Sequence, residues 1–307
     1  MELADKAVAY KRSLEEFSEE YRNRILLPQG RLVSFVINAL KYPKDKIVSE
    51  IISAGFDIKE TSLPFAYTSD SRDFKISPAI RNMFDEGKIY FIGLSSLLPT
   101  LSLKPHGMVL DMCAAPGGKT FYSQLITGNS LKITCVDNNK NRVEKLTSNL
   151  KNLGVENFDV IYSDVSKLTV YRPDLLGKFD CIILDAPCSN ESKLDLNNLS
   201  SFEYWNTKIS SRLSKLQKKM LAESSKLLKP HGQIVYSTCT YSPKENEDVV
   251  CWALKKNLGL TIVDIEIDPK KVSFADQVSS KVTAGFSKRI MPNNGFGGFF
   301  LAKFVAN

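Results

Sequence analysis

Two cysteines carry the strongest chemical signal in this chain. Cys239 lies in Tyr-Ser-Thr-Cys-Thr-Tyr-Ser-Pro (236–243), and Cys188 lies 51 positions upstream in Leu-Asp-Ala-Pro-Cys-Ser (184–189). Each follows an apolar stretch that reads as a buried strand, residues 180–184 and 233–236. In open α/β sheets, reactive groups collect just beyond the carboxyl ends of the strands. Two thiols delivered there, one beside Asp185, suggest a nucleophile and a helper. Either cysteine alone reads as a buried core thiol, because free Cys is among the most buried residue types. The motifs around the pair argue against that.

Elements of a regular kind must position them. From residue 108 the pattern is βαβ: residues 108–112, 131–137, 158–162 and 179–184 are strand-like, and helical stripes lie between them (Val143, Leu146, Leu150, Leu153; later Ile209, Leu213, Leu216, Met220, Leu227). Such alternation predicts a mostly parallel sheet covered on both faces. Ser-Pro-Lys-Glu (242–245) is a capping-box signature that predicts a helix beginning beside Cys239. The aromatic, glycine-rich tail 295–304 predicts a late antiparallel strand. Residues 1–24 predict a helix with Val8, Leu14, Phe17 and Tyr21 on its apolar face; residues 31–40 predict a strand and 44–54 a helix. This αβα opening predicts a small α+β domain ending near residue 95. Lys-Pro-His-Gly occurs twice, at 104–107 and 229–232, and reads as a turn used twice.

At 307 residues the chain suits about two domains. It is 43% hydrophobic and 24% charged, an ordinary globular balance that excludes wholesale disorder. Lys and Arg outnumber Asp and Glu by 41 to 34, a net charge of +7 that suits a polyanionic partner without demanding one. The first residues show no basic leader before an apolar core, and no apolar run approaches the roughly 18 residues of a membrane span. A soluble, cytoplasmic protein with reduced thiols is expected. The six cysteines contain no Cys-x-x-Cys pair and there are two histidines, so no metal site is expected.

Residues 113–120 (Cys-Ala-Ala-Pro-Gly-Gly-Lys-Thr) form a small-residue loop between a strand and a helix. Ala114, Ala115, Gly117 and Gly118 let the backbone approach a ligand. The spacing matches neither phosphate-loop signature. Asp137 falls 19 residues after Gly118, near the ~20-residue spacing at which an acid meets ribose hydroxyls. With Asp164 and Asp185, acids close three successive strands. That set fits an adenosine-bearing ligand without pyrophosphate, S-adenosylmethionine. Asp-Ala-Pro-Cys (185–188) also compares with the [Asp/Asn]-Pro-Pro-aromatic tetrad of amino-group methyltransferases. Its stacking aromatic is replaced by a thiol, which favours a ring carbon needing covalent activation as the target.

Together these stretches resemble the Sun/Fmu-type RNA (cytosine-5-)-methyltransferases. The matching runs are residues 109–120, 185–189, and 235–240 followed by Glu-Asn-Glu (245–247), with weaker matches at 95–99 and in the tail. The resemblance covers about residues 30–307. Its implied fold is α/β: a Rossmann-like class I methyltransferase domain (96–307) with a mostly parallel seven-stranded sheet, preceded by a small α+β, RRM-like RNA-binding domain (1–95). It makes Cys239 the nucleophile adding to cytosine carbon 6, Cys188 the helper in product release, and Asp185 the partner of the ring's nitrogen 3 or amine. Expected cofactor contacts are Cys113, Ala114, Ala115, Pro116, Gly117, Gly118, Lys119, Asp137, Arg142, Asp164 and Asp185, with Lys119 open to an RNA role. The implied partner is RNA, ribosomal before transfer RNA, bound by a monomer without a metal. A transfer-RNA or DNA cytosine methyltransferase, and a noncatalytic RNA-binding assembly factor, remain alternatives. DNA enzymes use the Pro-Cys thiol itself as nucleophile, so the Thr-Cys stretch favours RNA. Two departures stand out: the Gly-rich continuation after Cys188 is replaced by Asn-Glu-Ser-Lys-Leu-Asp-Leu-Asn-Asn (190–198), and the segment 36–41 lacks the arginine that often precedes its asparagine.

Overall fold

The computed structural model describes residues 2–26, 32–267, 272, 274–275, 286–293 and 295–307. Met1 and Arg31, at the starts of two expected elements, lie outside them. The chain opens with helices α1 (Leu3–Ser13) and α2 (Glu19–Leu26), followed by strand β1 (Val33–Ile37), α3 (Lys44–Ser53), β2 (Lys59–Glu60), β3 (Ala66–Ser69), α4 (Pro78–Asp85) and β4 (Ile89–Phe91). These strands form an antiparallel sheet in the order β2-β3-β1-β4. Side-chain alternation along β1 decides how it is covered. Phe35 and Ile37 pack with Ile47 and Ile51 of α3 and Ile80 and Met83 of α4. Val36 faces the other way, into a cluster with Leu97, Val109 and Phe121. The small sheet is therefore apolar on both faces. Asn38, fully buried, ties it down further by donating to the carbonyls of Gly87 and Leu153.

Helices α1 and α2 do not cover this sheet. Their buried residues Ala7, Tyr10, Leu14, Phe17 and Tyr21 cluster with Phe202, Trp205 and Tyr241, far along the sequence. That spacing puts Val8 on the opposite side, where it is 52% exposed.

The larger unit runs α5 (Leu98–Leu103), β5 (Met108–Asp111), α6 (Gly118–Thr127), β6 (Lys132–Asp137), α7 (Lys140–Asn152), β7 (Phe158–Tyr162), α8 (Leu168–Tyr171), β8 (Phe179–Asp185), α9 (Ile209–Leu227), β9 (Leu228–Thr238), α10 (Glu247–Lys255), β10 (Leu260–Val263), β11 (Phe274–Ala275), β12 (Lys288–Ile290) and β13 (Phe299–Ala306). Strands β7-β6-β5-β8-β9 are parallel, and β13 lies antiparallel along β9. Alternation again splits the core. Val109, Cys181, Ile183 and Val235 face α6 and α7, while Leu110, Ile182, Ile234 and Tyr236 face α9 and α10. This is the expected Rossmann-like architecture. The strand count differs: nine strands join among the described residues, against seven expected. Eight-residue β13 offers an outer edge long enough for two partners, β12 at Phe299–Leu301 and β10 at Lys303–Ala306, and β11 adds to β12.

The two Lys-Pro-His-Gly segments also part company. Residues 104–107 make the expected turn, with Lys104 and Gly107 at positive φ. Residues 229–232 instead lie inside β9, where a register shift opposite Phe179–Cys181 accommodates His231 at φ 62°.

Candidate active site

A cleft of about 590 Å³ opens at the carboxyl ends of β5, β6, β8 and β9. Residues 113–116 and Gly118 form its floor, and the residues need to be small for a visible reason. Gly117 sits at φ 110°, a left-handed conformation that favours glycine, with the Leu146 and Leu150 side chains against it. A Cβ on Gly118 would stand 2.9 Å from Ile92 and 3.0 Å from the Tyr90 ring. The small sheet thus presses on the loop and lends Tyr90, Phe91 and Ile92 to the wall.

The acids are not equivalent. Asp137 lines the cleft at 3% exposure; its oxygens accept from the Asn139 amide (3.1 Å) and approach Arg142 (3.3 Å). Arg142 also donates to the Ala115 carbonyl at 2.6 Å, stapling the loop to the end of β6. Asp164 does not reach the cleft wall: its Oδ1 accepts from the amide and hydroxyl of Ser166, capping a short turn of 3₁₀ helix. Asp185 takes the Lys119 ammonium at 2.6 Å on one oxygen and the Ser237 hydroxyl at 2.7 Å on the other. Burial pulls the Lys119 pKa down, but Asp185 and Asp111 outweigh it and hold the ammonium above its ordinary value.

Asp111, which ends β5, was not among the expected contacts. The rule that selected Asp137 and Asp185, an acid closing a strand of the sheet, selects it equally. It lines the cleft at 1% exposure, accepts from Thr120, and has no hydrogen-bond partner on Oδ1 among the described residues. Burial pushes its pKa up to about 6, against the pull of the Thr120 hydroxyl and Lys119.

The two thiols meet. Cys188 Sγ and Cys239 Sγ are 3.3 Å apart, both free, with Cys239 also donating to Asn190 Oδ1 at 2.9 Å. Their acidities diverge. Hydrogen bonding to Cys188 lowers the Cys239 pKa, opposed by burial and Asp185 and assisted by Lys193 and Lys119. The same contact, together with burial, drives Cys188 well above the ordinary thiol value. Cys239 is thus the more acidic thiol of the pair, and Cys188 the less acidic.

Asn190 and Lys193, in the segment that departs from the family pattern, line the cleft beside the thiols, as does Phe299 from β13. No spacing rule points to them. The expected helix beside Cys239 starts later than its capping signature predicts. Residues 243–246 form turns and α10 begins at Glu247, because Glu245 turns inward to accept from the Ser189 amide and Gln217. Asn246 meanwhile ties Thr238 and Thr240.

A family profile described as "16S rRNA methyltransferase RsmB/F" matches residues 98–305. The chain belongs to that family. Among curated relatives, a 28S rRNA (cytosine-C(5))-methyltransferase of Mus musculus is 33% identical over 220 residues, covering 69% of this chain and 27% of that protein. A tRNA (cytosine(72)-C(5))-methyltransferase of Pyrococcus horikoshii is 36% identical over 182 residues, 58% of this chain and 44% of that protein. The chain thus spans between about a quarter and under half of these relatives. Its fold matches that of NSun6 from Pyrococcus horikoshii, solved with SFG, at a TM-score of 0.79 and 22% identity, over 98% of this chain and 97% of the other. Both of this chain's thiol motifs, 184–189 and 236–243, lie inside the matched region.

Proposed function

We propose that the chain is an S-adenosylmethionine-dependent RNA cytosine-5 methyltransferase acting on ribosomal RNA. The observation that carries this reading is the thiol pair: Cys239 Sγ and Cys188 Sγ 3.3 Å apart, beside an Asp185–Lys119 pair in one cleft. Cytosine carbon 5 is a poor nucleophile until a thiolate adds to carbon 6. Cys239 forms that Sγ–C6 bond, and the displaced electron pair makes carbon 5 nucleophilic. Asp185, fixed by Lys119 and Ser237, accepts from the pyrimidine's amine and orients the ring, and the Lys119 ammonium beside it offsets the negative charge that gathers there. After carbon 5 has taken the methyl group, a base takes its proton, the C5–H electron pair forms the C5=C6 double bond, and the Sγ–C6 pair departs with Cys239 as thiolate. Cys188, 3.3 Å away and the less acidic of the two thiols, assists that departure by donating to the leaving sulfur.

The cofactor supplies an electrophilic methyl group on a sulfonium. The cleft's residues fit it. Asp111 Oδ1 is a buried acceptor with no hydrogen-bond partner among the described residues, suited to the ligand's ammonium group. Asp137 is placed for ribose hydroxyls. Among the described residues no helix is long and apolar enough to cross a membrane.

The ribosomal assignment is supported by the family description and the 28S relative; the 36% identity to a tRNA enzyme supports transfer RNA as a second reading. Incubating the protein with methyl-labelled cofactor and either ribosomal or transfer RNA, then mapping by bisulfite sequencing, separates them. A 5-methylcytosine in ribosomal RNA is expected. Label on transfer RNA alone selects the second reading, and no label on any RNA removes the enzyme assignment.

A further inference from the structure

Behind the thiols lie two buried carboxylates that the chemistry above does not use. Glu191 follows Cys188 in sequence, and Glu245 follows Cys239; both are at most 4% exposed. Each reaches across to the other thiol's loop. Glu245 accepts from the amide of Ser189, the residue after Cys188, at 3.0 Å. Glu191 accepts from the hydroxyl of Thr240, the residue after Cys239, at 3.0 Å. Between them the Ser189 and Thr240 hydroxyls meet at 2.6 Å, and the Ser192 amide donates to the Cys239 carbonyl at 3.1 Å. Gln217 of α9 completes the frame, donating to both Glu245 and the Pro187 carbonyl at 2.9 Å, so Cys188 is gripped on either side.

We propose that Glu191 and Glu245 are positioning residues, a crossed brace that fixes Cys188 against Cys239 and thereby makes Cys239 the attacking thiol. The inference deepens the methyltransferase reading and rests on it. A buried carboxyl left without donors would carry an unmet desolvation penalty. Here each acid meets donors from the opposite loop, so the loops cannot separate without exposing that penalty. Burial raises both acids, against hydrogen bonds from Ser189 and Gln217 to Glu245 and from Trp205 and Thr240 to Glu191. The cross-loop contacts use one oxygen of each acid: Glu245 Oε2 accepts from Ser189 and Gln217, and Glu191 Oε2 accepts from Thr240. The groups facing Cys239 are Cys188, Asp185, Lys193 and Lys119; of these, Cys188 is the one whose position the brace controls.

The test reads Cys239 directly, without RNA or cofactor. Wild type, Glu245→Ala, Glu245→Gln and Gln217→Ala are alkylated with iodoacetamide from neutral to alkaline pH, and the Cys239 peptide is quantified by mass spectrometry. Loss of the brace in Glu245→Ala slackens the Cys188 contact, so neutral-pH alkylation falls by about tenfold, the scale of one hydrogen bond to a charged group, and the profile shifts to higher pH. Glu245→Gln keeps an acceptor oxygen and retains the wild-type profile. Gln217→Ala shifts in the same direction by less, and decides the matter if Glu245→Ala does not fold. A folded Glu245→Ala or Gln217→Ala with an unshifted profile overturns the proposal, as does Glu245→Gln behaving like Glu245→Ala. If the shift is seen in a protein that methylates no RNA, the brace stands and the methyltransferase reading falls.

Discussion

The two halves of the cleft are built on different principles. On the cofactor side, Asp111, Asp137 and the 113–118 loop sit at strand ends, and the interactions that shape them come mainly from nearby sequence: Thr120 to Asp111, Asn139 and Arg142 to Asp137. On the thiol side, 51 residues separate Cys188 and Cys239, and partners come from across the chain. Tyr10 of α1 donates to the Glu191 carbonyl, Trp205 to its carboxylate, and Arg289 of β12 pairs with Glu247 while donating to the Tyr241 carbonyl. A site assembled locally can announce itself in a motif. One assembled at long range announces only its reactive atoms.

The contrast can be broken most severely at Arg289. Its guanidinium and the Glu247 carboxylate are each 1% exposed and paired at 2.6 Å through two contacts, with Phe17 and Phe300 against the cation. Arg289→Met strands a buried carboxylate and is expected to destabilise the fold by about 3–5 kcal/mol, whereas removing both partners with Glu247→Leu/Arg289→Met is expected to recover much of the loss. Thermal and denaturant melts of the single and double variants measure this. A single variant melting like wild type would mean the thiol side does not depend on its distant partners.

A smaller effect sharpens the cofactor side. Asp111 titrates near pH 6 because burial raises it. A raised carboxyl is ionised above that pH and protonated below, and a cationic ligand prefers the ionised form. Affinity for S-adenosylmethionine, measured by calorimetry, is therefore expected to be maximal above about pH 6 and to weaken by up to about tenfold per pH unit below it. Asp111→Asn should bind weakly at every pH with that slope lost. A wild-type slope in Asp111→Asn would remove the residue from the ligand's ammonium site.

Legibility followed the same divide. Strand–helix alternation, the Gly117–Gly118 turn and the strand-ending acids all depend on local periodicity and backbone geometry, which the sequence displays openly. Asp111 was visible by the same criterion and needed only its consistent application. The packing of α1 and α2 on Phe202, Trp205 and Tyr241 was not visible, since an apolar helix face does not name its partner. The capping signature at 242–245 misled for a related reason: the Glu245 side chain is drawn inward by Ser189 and Gln217, and tertiary hydrogen bonds override the local cap. Asp164 shows the converse, a strand-end acid used for a local cap.

The central claim is the division of labour between the two thiols, and it is tested by trapping the covalent complex. Cys188→Ala and Cys239→Ala are incubated with substrate RNA and cofactor and resolved by denaturing electrophoresis. The account predicts that Cys188→Ala methylates once and accumulates a protein–RNA adduct, while Cys239→Ala forms no adduct and transfers no methyl group. An adduct in Cys239→Ala and none in Cys188→Ala would contradict it, making Cys188 the nucleophile.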